Sequence, residues 1–128
     1  MCIFASMKDA IFIPGNTPSS KNGRQWTGKY SVGSKSTQKF YRESKEHWEA
    51  HRLTFLKLLK GKEAPYKIEM TFVRGSHRKF DYINPAQTIQ DQMVKYKWLS
   101  DDNMECMIPS FQPFQYDKEK PGCYIRVL

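Results

Sequence analysis

Long apolar runs are missing from this sequence, and no stretch approaches the roughly 20 apolar residues that a membrane-spanning helix needs. No basic amphipathic helix stands at either terminus, which weakens the case for an anionic membrane surface as partner. Cysteine is scarce. Cys2, Cys106 and Cys123 show no Cys-x-x-Cys spacing and have no clustered histidines beside them. That argues against a zinc site or a disulfide framework and makes a reducing cytoplasm the expected compartment. The opening Met1–Asp9 has neither the basic start nor the long apolar core of an export signal. Met7 stands directly before the first strand-like run, so residues 1–6 are expected to be an extension with no role in the fold. The last scarcity is local: from Ala10 to Arg42 there is no acidic residue, although Lys21, Arg24, Lys29, Lys35, Lys39 and Arg42 all fall there.

What is present fits one domain over residues 1–128, because a chain of 128 residues is near the usual size of a single core. Twenty-one Lys and Arg against 13 Asp and Glu give a net charge of +8, an excess that favours a polyanion such as nucleic acid. In the acid-free segment Trp26, Tyr30, Phe40 and Tyr41 are interleaved with the bases. Bases of that kind hold phosphates and aromatics stack on exposed nucleobases, although a solvated loop with core aromatics has the same composition. Lys21, Arg24, Lys29 and Lys35 are therefore candidate DNA contacts, together with the compact group His77, Arg78 and Lys79.

Residues 10–14 read as a short strand, followed by a loop of Pro, Gly, Asn and Ser. Ser36 or Thr37 can cap a helix that runs to about Lys60 and stops at Gly61. Its stripe of Tyr41, Trp48, Arg52, Phe55 and Leu59 is a packing face, with Trp48 in the core. His47 and His51 lie one turn apart but lack the glutamate placement of a zincin motif, which makes them a weak metal candidate. Residues 66–74 alternate cleanly, placing Tyr66, Ile68, Met70 and Phe72 on one buried face and Lys67, Glu69 and Thr71 on the other. Asn84 and Pro85 make a helix start, and Ala86, Ile89 and Met93 trace its inner face to about Trp98. Strands are expected around 104–109, 111–116 and 123–128. The whole predicts an α/β, or α+β two-layer, fold with a mixed sheet packed by two main helices at about 37–60 and 85–98.

Hydrolysis of a phosphodiester needs an activated water and a stabilised leaving oxygen, and Mg²⁺ held by carboxylates supplies both. Asp81 follows the basic group directly, and Asp101 and Asp102 lie in the turn after the second helix. Spacing alone leaves two readings open: a metal site, or an acid serving a helix's positive end and an ordinary polar turn.

The segments Asp81-Tyr82-Ile83-Asn84 and Trp98-Leu99-Ser100-Asp101-Asp102 resemble the signature of the RusA-type Holliday junction resolvases, including their phage-borne relatives. The likeness extends to IFIPGNTPSSKN, similar to that family's opening strand and loop, and to KFYRESKEHW, similar to its first helix. The resemblance implies a small homodimer that binds four-way DNA junctions in recombination and repair and nicks two strands with Mg²⁺ or Mn²⁺. It further implies that Asp81 and Asp102 are catalytic, metal-binding acids, with Asp101 adjacent, and that Asp91 falls on a family acid position. From the residues alone, Asp91 could equally pair with Lys95 one turn later. The chain departs from the family pattern twice. Ile83 stands where a second metal-binding aspartate is normal, and Gln87 where a lysine is normal. Asp101 or the Asn84 amide could make up the missing ligand, and Lys95 the missing charge. The alternative implied by the departures is a degenerate junction- or DNA-binding module without metal chemistry. Along a straight helix of about 13 residues, Asp81 and Asp102 would stand roughly 20 Å apart, so their convergence requires the chain to fold back or a partner subunit to contribute.

Overall fold

The computed structural model describes residues 9–19, 24–26, 31–33 and 35–128, with only the backbone of 24–26 and 31–33. The elements run β1 (Ile11–Pro14), β2 (Arg24–Trp26), β3 (Ser31–Gly33), α1 (Lys35–Leu58), β4 (Tyr66–Arg74), α2 (Ile83–Lys95), β5 (Met107–Phe111), β6 (Gln115–Tyr116) and β7 (Gly122–Val127). The main sheet has the order β1-β7-β4-β5, with β6 also on β4, while β2 and β3 form a separate two-stranded ribbon. Pairing of β7 with β1 and β4 is antiparallel, whereas β5 and β6 both run parallel to β4. The fold is thus the expected α+β arrangement of a mixed sheet and two helices. The stretch read as a loop after β1 contains the β2–β3 ribbon, whose pairing is Arg24 with Gly33 through Trp26 with Ser31.

β4 is the centre of the sheet, and this overturns the expected one-sided burial of its alternating residues. Ile68, Met70 and Phe72 are fully buried against the helices, but Glu69 and Thr71 are buried too. Glu69 tolerates burial because Arg126, its cross-strand partner on β7, grips both carboxylate oxygens, with Nε at 3.1 Å from Oε1 and Nη2 at 3.3 Å from Oε2. Gln112 adds a third donor at 2.8 Å. A buried carboxylate without such partners would lose several kcal/mol of hydration.

The helices cover one face. α1 buries Thr37, Phe40, Ser44, Trp48 and Phe55, a spacing of three, four and seven residues that keeps one stripe inward. Phe40 is 4% exposed and belongs to this core, not to an exposed stacking surface, while Tyr41 and Leu59 are only half-buried. Trp48 and Trp98 pack edge to face at 4.9 Å, and the Trp98 indole donates to the Trp48 carbonyl at 2.9 Å. Full burial of each large apolar side chain contributes about 1.5–3 kcal/mol. The helix ends at Leu58, and Gly61 at φ 78° turns the chain away.

α2 starts and stops differently from the sequence expectation. Asn84 is not its cap: Tyr82 holds that position without a side-chain bond, and the helix begins at Ile83. It ends at Lys95 and not at Trp98. Lys97 takes the left-handed conformation, φ 62°, while Trp98 N–H donates to the Met93 carbonyl at 2.8 Å and Lys97 N–H to that of Val94 at 3.1 Å. Those two bonds are a Schellman ending with lysine where glycine is usual, and the buried Trp98 and Met93 supply its apolar contact. The first two strands after it run 107–111 and 115–116, later and shorter than expected, while the last, 122–127, lies within one residue of its expected place.

Candidate functional site

The loop after the carboxyl end of β4 carries the basic group and Asp81, and in sheets with parallel crossovers such strand ends are where ligands bind. An open cleft of about 1060 Å³ lies there, lined by Asn16, Thr17, Pro18, Ser19, Ser36, Arg74, Ser76, Arg78, Lys79, Phe80, Asp81, Tyr82, Asn84, Pro85 and Phe114. The segment after β1 forms one wall because it is bonded to both neighbours. Arg74 Nη1 donates to the Thr17 carbonyl at 2.7 Å, Thr88 Oγ1 to that of Pro18 at 2.7 Å, and Gly75 N–H to Asn16 Oδ1 at 3.1 Å. Arg74 also lies 4.8 Å from the Phe80 ring centre. Burial pulls its guanidinium below the ordinary value, which still leaves it charged at neutral pH.

Three of the predicted DNA contacts stand at this cleft or its border. Arg78 and Lys79 are exposed and line it, and His77 stacks on Tyr116 with ring centres 3.8 Å apart. Lys35 is exposed next to Ser36, at the start of α1. Lys95 lies in the last turn of α2, 5.4 Å from the Tyr96 ring and not in the cleft lining. Lys21 and Lys29 lie outside the described residues, as does the side chain of Arg24.

The acids do come towards one another. Asn84, Gln87 and Asp91 share one face of α2, three and four residues apart, opposite the buried Ala86, Ile89 and Met93. Gln87 Nε2 donates to Asp91 Oδ1 at 2.8 Å and to Asp102 Oδ2 at 3.2 Å. Asp102 is therefore not beyond the far end of the helix. The Schellman turn at Lys97 reverses the chain and returns Asp102 eight residues up the helix from Lys95, a climb of about 12 Å. Gln87 in turn stands about 9 Å along the axis from Asp81, so the chain folds back along α2, which is the condition for the two acids to approach. Asp91 is bonded to Gln87, whereas the alternative partner, Lys95, lies over the Tyr96 ring.

Asp101 is bonded within its own loop. Its Oδ1 accepts from Asp102 N–H at 2.7 Å and its Oδ2 from Asn103 Nδ2 at 3.1 Å, which shapes the loop that presents Asp102. Asn84 lines the cleft beside Asp81 and donates its N–H to the Asp81 carbonyl at 3.2 Å. Ile83 is 74% exposed and does not line the cleft. Among the described residues no group of three His, Cys, Asp or Glu side chains gathers at metal-holding distance. Mg²⁺, however, is commonly bound by one or two carboxylates with water and phosphate oxygens filling the shell. Asp91 and Asp102, drawn onto one amide, are a hard-oxygen pair of that kind, and the Gln87 amide carries an oxygen as well, so these residues fit the ion.

Sequence reasoning missed Arg74, Thr17 and Phe114. Arg74 was visible only as the last residue of a strand, and Phe114 only as part of a strand that here gives way to an irregular link. No helix among the described residues is long and apolar enough to cross a membrane. No family model matches the chain, and no curated protein is significantly similar to it.

Proposed function

We propose that the chain is a metal-dependent, structure-selective DNA endonuclease of the RusA type, acting as a homodimer on four-way or branched junctions. The observation that carries this reading is the return of Asp102 onto α2 beside Asp91, on the helix whose mouth presents Asp81 inside a cationic cleft. Arg78 and Lys79 would bind phosphates on either side of the cut, and Arg74 would hold the cleft wall to β4 while adding positive potential. Asp102 and Asp91 would hold Mg²⁺ or Mn²⁺, with Asp81 a further acid about 9 Å along α2 from Gln87. When bound, the ion would supply an activated water and stabilise the leaving oxygen. The water would give up a proton as its oxygen bonds to phosphorus, the ester P–O bond would break, and the departing alkoxide would take up a proton.

A second reading, a DNA-binding module without chemistry, is favoured by Gln87 itself, whose amide already satisfies one oxygen of each carboxylate. The two readings separate on a labelled four-way junction incubated with Mg²⁺ or Mn²⁺. The nuclease reading expects paired nicks that vanish in Asp81→Asn with junction binding retained. Binding that leaves the junction intact under both ions supports the module, and cleavage gained only in Ile83→Asp would show that a ligand was what had been lost.

A further inference from the structure

We infer that Phe114 is a stacking platform for a single unstacked nucleobase next to the phosphates held by Arg78 and Lys79, a subsite that rests on the DNA-binding reading above. Phe114 is 43% exposed and lines the same cleft as Asp81, Arg78, Lys79 and Asn84. An isolated exposed phenylalanine on a surface needs no explanation. This one is held by its ring and by its backbone. Its ring packs at 88° on Phe80 with centres 5.4 Å apart, and Phe80 is backed by Tyr82 at 5.1 Å and by the Arg74 guanidinium at 4.8 Å. Its backbone N–H donates to the Tyr82 hydroxyl at 2.9 Å, which ties it to the loop bearing Asp81. Pro113 before it narrows the backbone choices further.

The position in the sheet has the same consequence. β5 and β6 pair with successive halves of β4, and residues 112–114 are the interruption between them. Continuing the ladder there would have set Phe114 into a strand. The break instead leaves the ring half-exposed in the cleft lining, edge to face with Phe80. Aromatic side chains beside a cationic track are how proteins hold unpaired bases without reading sequence, since every base has a stacking face. The cleft lining mixes polar groups, among them Asn16, Ser76, Asp81 and Asn84, with the rings of Phe80, Tyr82 and Phe114. A branched junction offers what fits: bases at the branch point that unstack at low cost beside closely spaced phosphates.

The test couples the residue to one position of the DNA. Junctions carrying a single abasic site, moved stepwise through the branch point, are titrated in EDTA against wild type, Phe114→Ala, Phe114→Leu and Phe114→Tyr, with Tm measured for each. For wild type and Phe114→Tyr, the abasic site should weaken binding about 5- to 100-fold at one position, and the same site should cost Phe114→Ala and Phe114→Leu nothing further. Phe114→Leu keeps the apolar packing, so the readout survives if the alanine variant folds poorly. An abasic profile that is flat in wild type, or equally deep in the leucine variant, overturns the platform while leaving junction binding standing. Wild type that binds no branched DNA overturns both.

Discussion

Replacing Gln87 tests the link that brings the acids together. In Gln87→Ala two hydrogen bonds to carboxylates vanish, at 2.8 Å and 3.2 Å. Because the side chain is exposed, each counts at the low end for a charge-assisted bond, and the pair is worth about 1–2 kcal/mol. Gln87→Glu is more severe. It removes both donors and sets a third carboxylate beside Asp91 and Asp102, where each like-charge contact costs about 1 kcal/mol in a watery setting and more where water is partly excluded. That added loss is electrostatic and should shrink in 1 M NaCl, where the screening length is about 3 Å. Urea unfolding reads both effects. With a slope of about 2 kcal/mol per molar, the alanine variant should lose roughly 0.5–1 M in midpoint, and the glutamate variant more at low salt than at high. A cycle with Asp102→Ala should give a coupling of at least about 0.5 kcal/mol. Midpoints for both variants equal to wild type, or a glutamate variant indifferent to salt, would refute the bridge and with it the approach of Asp102 to α2.

Other consequences follow from single features. Lys97→Gly should stabilise the protein by about 0.5–1 kcal/mol in urea unfolding, since glycine holds φ 62° without strain; a loss instead would mean that the turn is not left-handed. Gly122→Ala should cost about 2 kcal/mol or more, because an added Cβ would run into the Phe12 ring and stand 2.6 Å from the Ile13 carbonyl oxygen. Adding Phe12→Ala should recover only part of that loss, as the carbonyl stays. Arg78→Ala or Lys79→Ala should each flatten the log–log salt dependence of DNA affinity by about 0.9, whereas Lys62→Ala, at the chain end where Lys62 bonds the Leu128 carbonyl, should leave it unchanged.

The sequence was most legible where local pattern and tertiary environment agreed. The nine residues of β4 alternate, α1 has its stripe and Gly61, and the inner face of α2 is apolar, so these elements could be read directly. β4 was misjudged only in depth, because its polar face is buried by a partner 57 residues away, Arg126, which no local period reports. The end of α2 was hidden by chemistry: a left-handed lysine carries no glycine or asparagine to announce the turn. That one omission left the acids' approach open, since a helix read straight through to Trp98 keeps Asp81 and Asp102 apart unless the chain folds back. Gln87 looked like the loss of a cation, and in the fold its amide is the group that spans Asp91 and Asp102. The cleft itself was half visible. His77, Arg78, Lys79 and Asp81 form a contiguous signal, whereas Arg74, Thr17 and Phe114 reach it from separate segments.

The central claim is that the acid returned to α2 serves phosphodiester cleavage. The direct measurement is the single-turnover nicking rate of a four-way junction in Mg²⁺ for wild type and Asp102→Asn, with junction affinity measured in parallel without metal. The account predicts a loss of at least about 100-fold in rate with affinity changed by less than a few fold. Equal rates in the two proteins would contradict it.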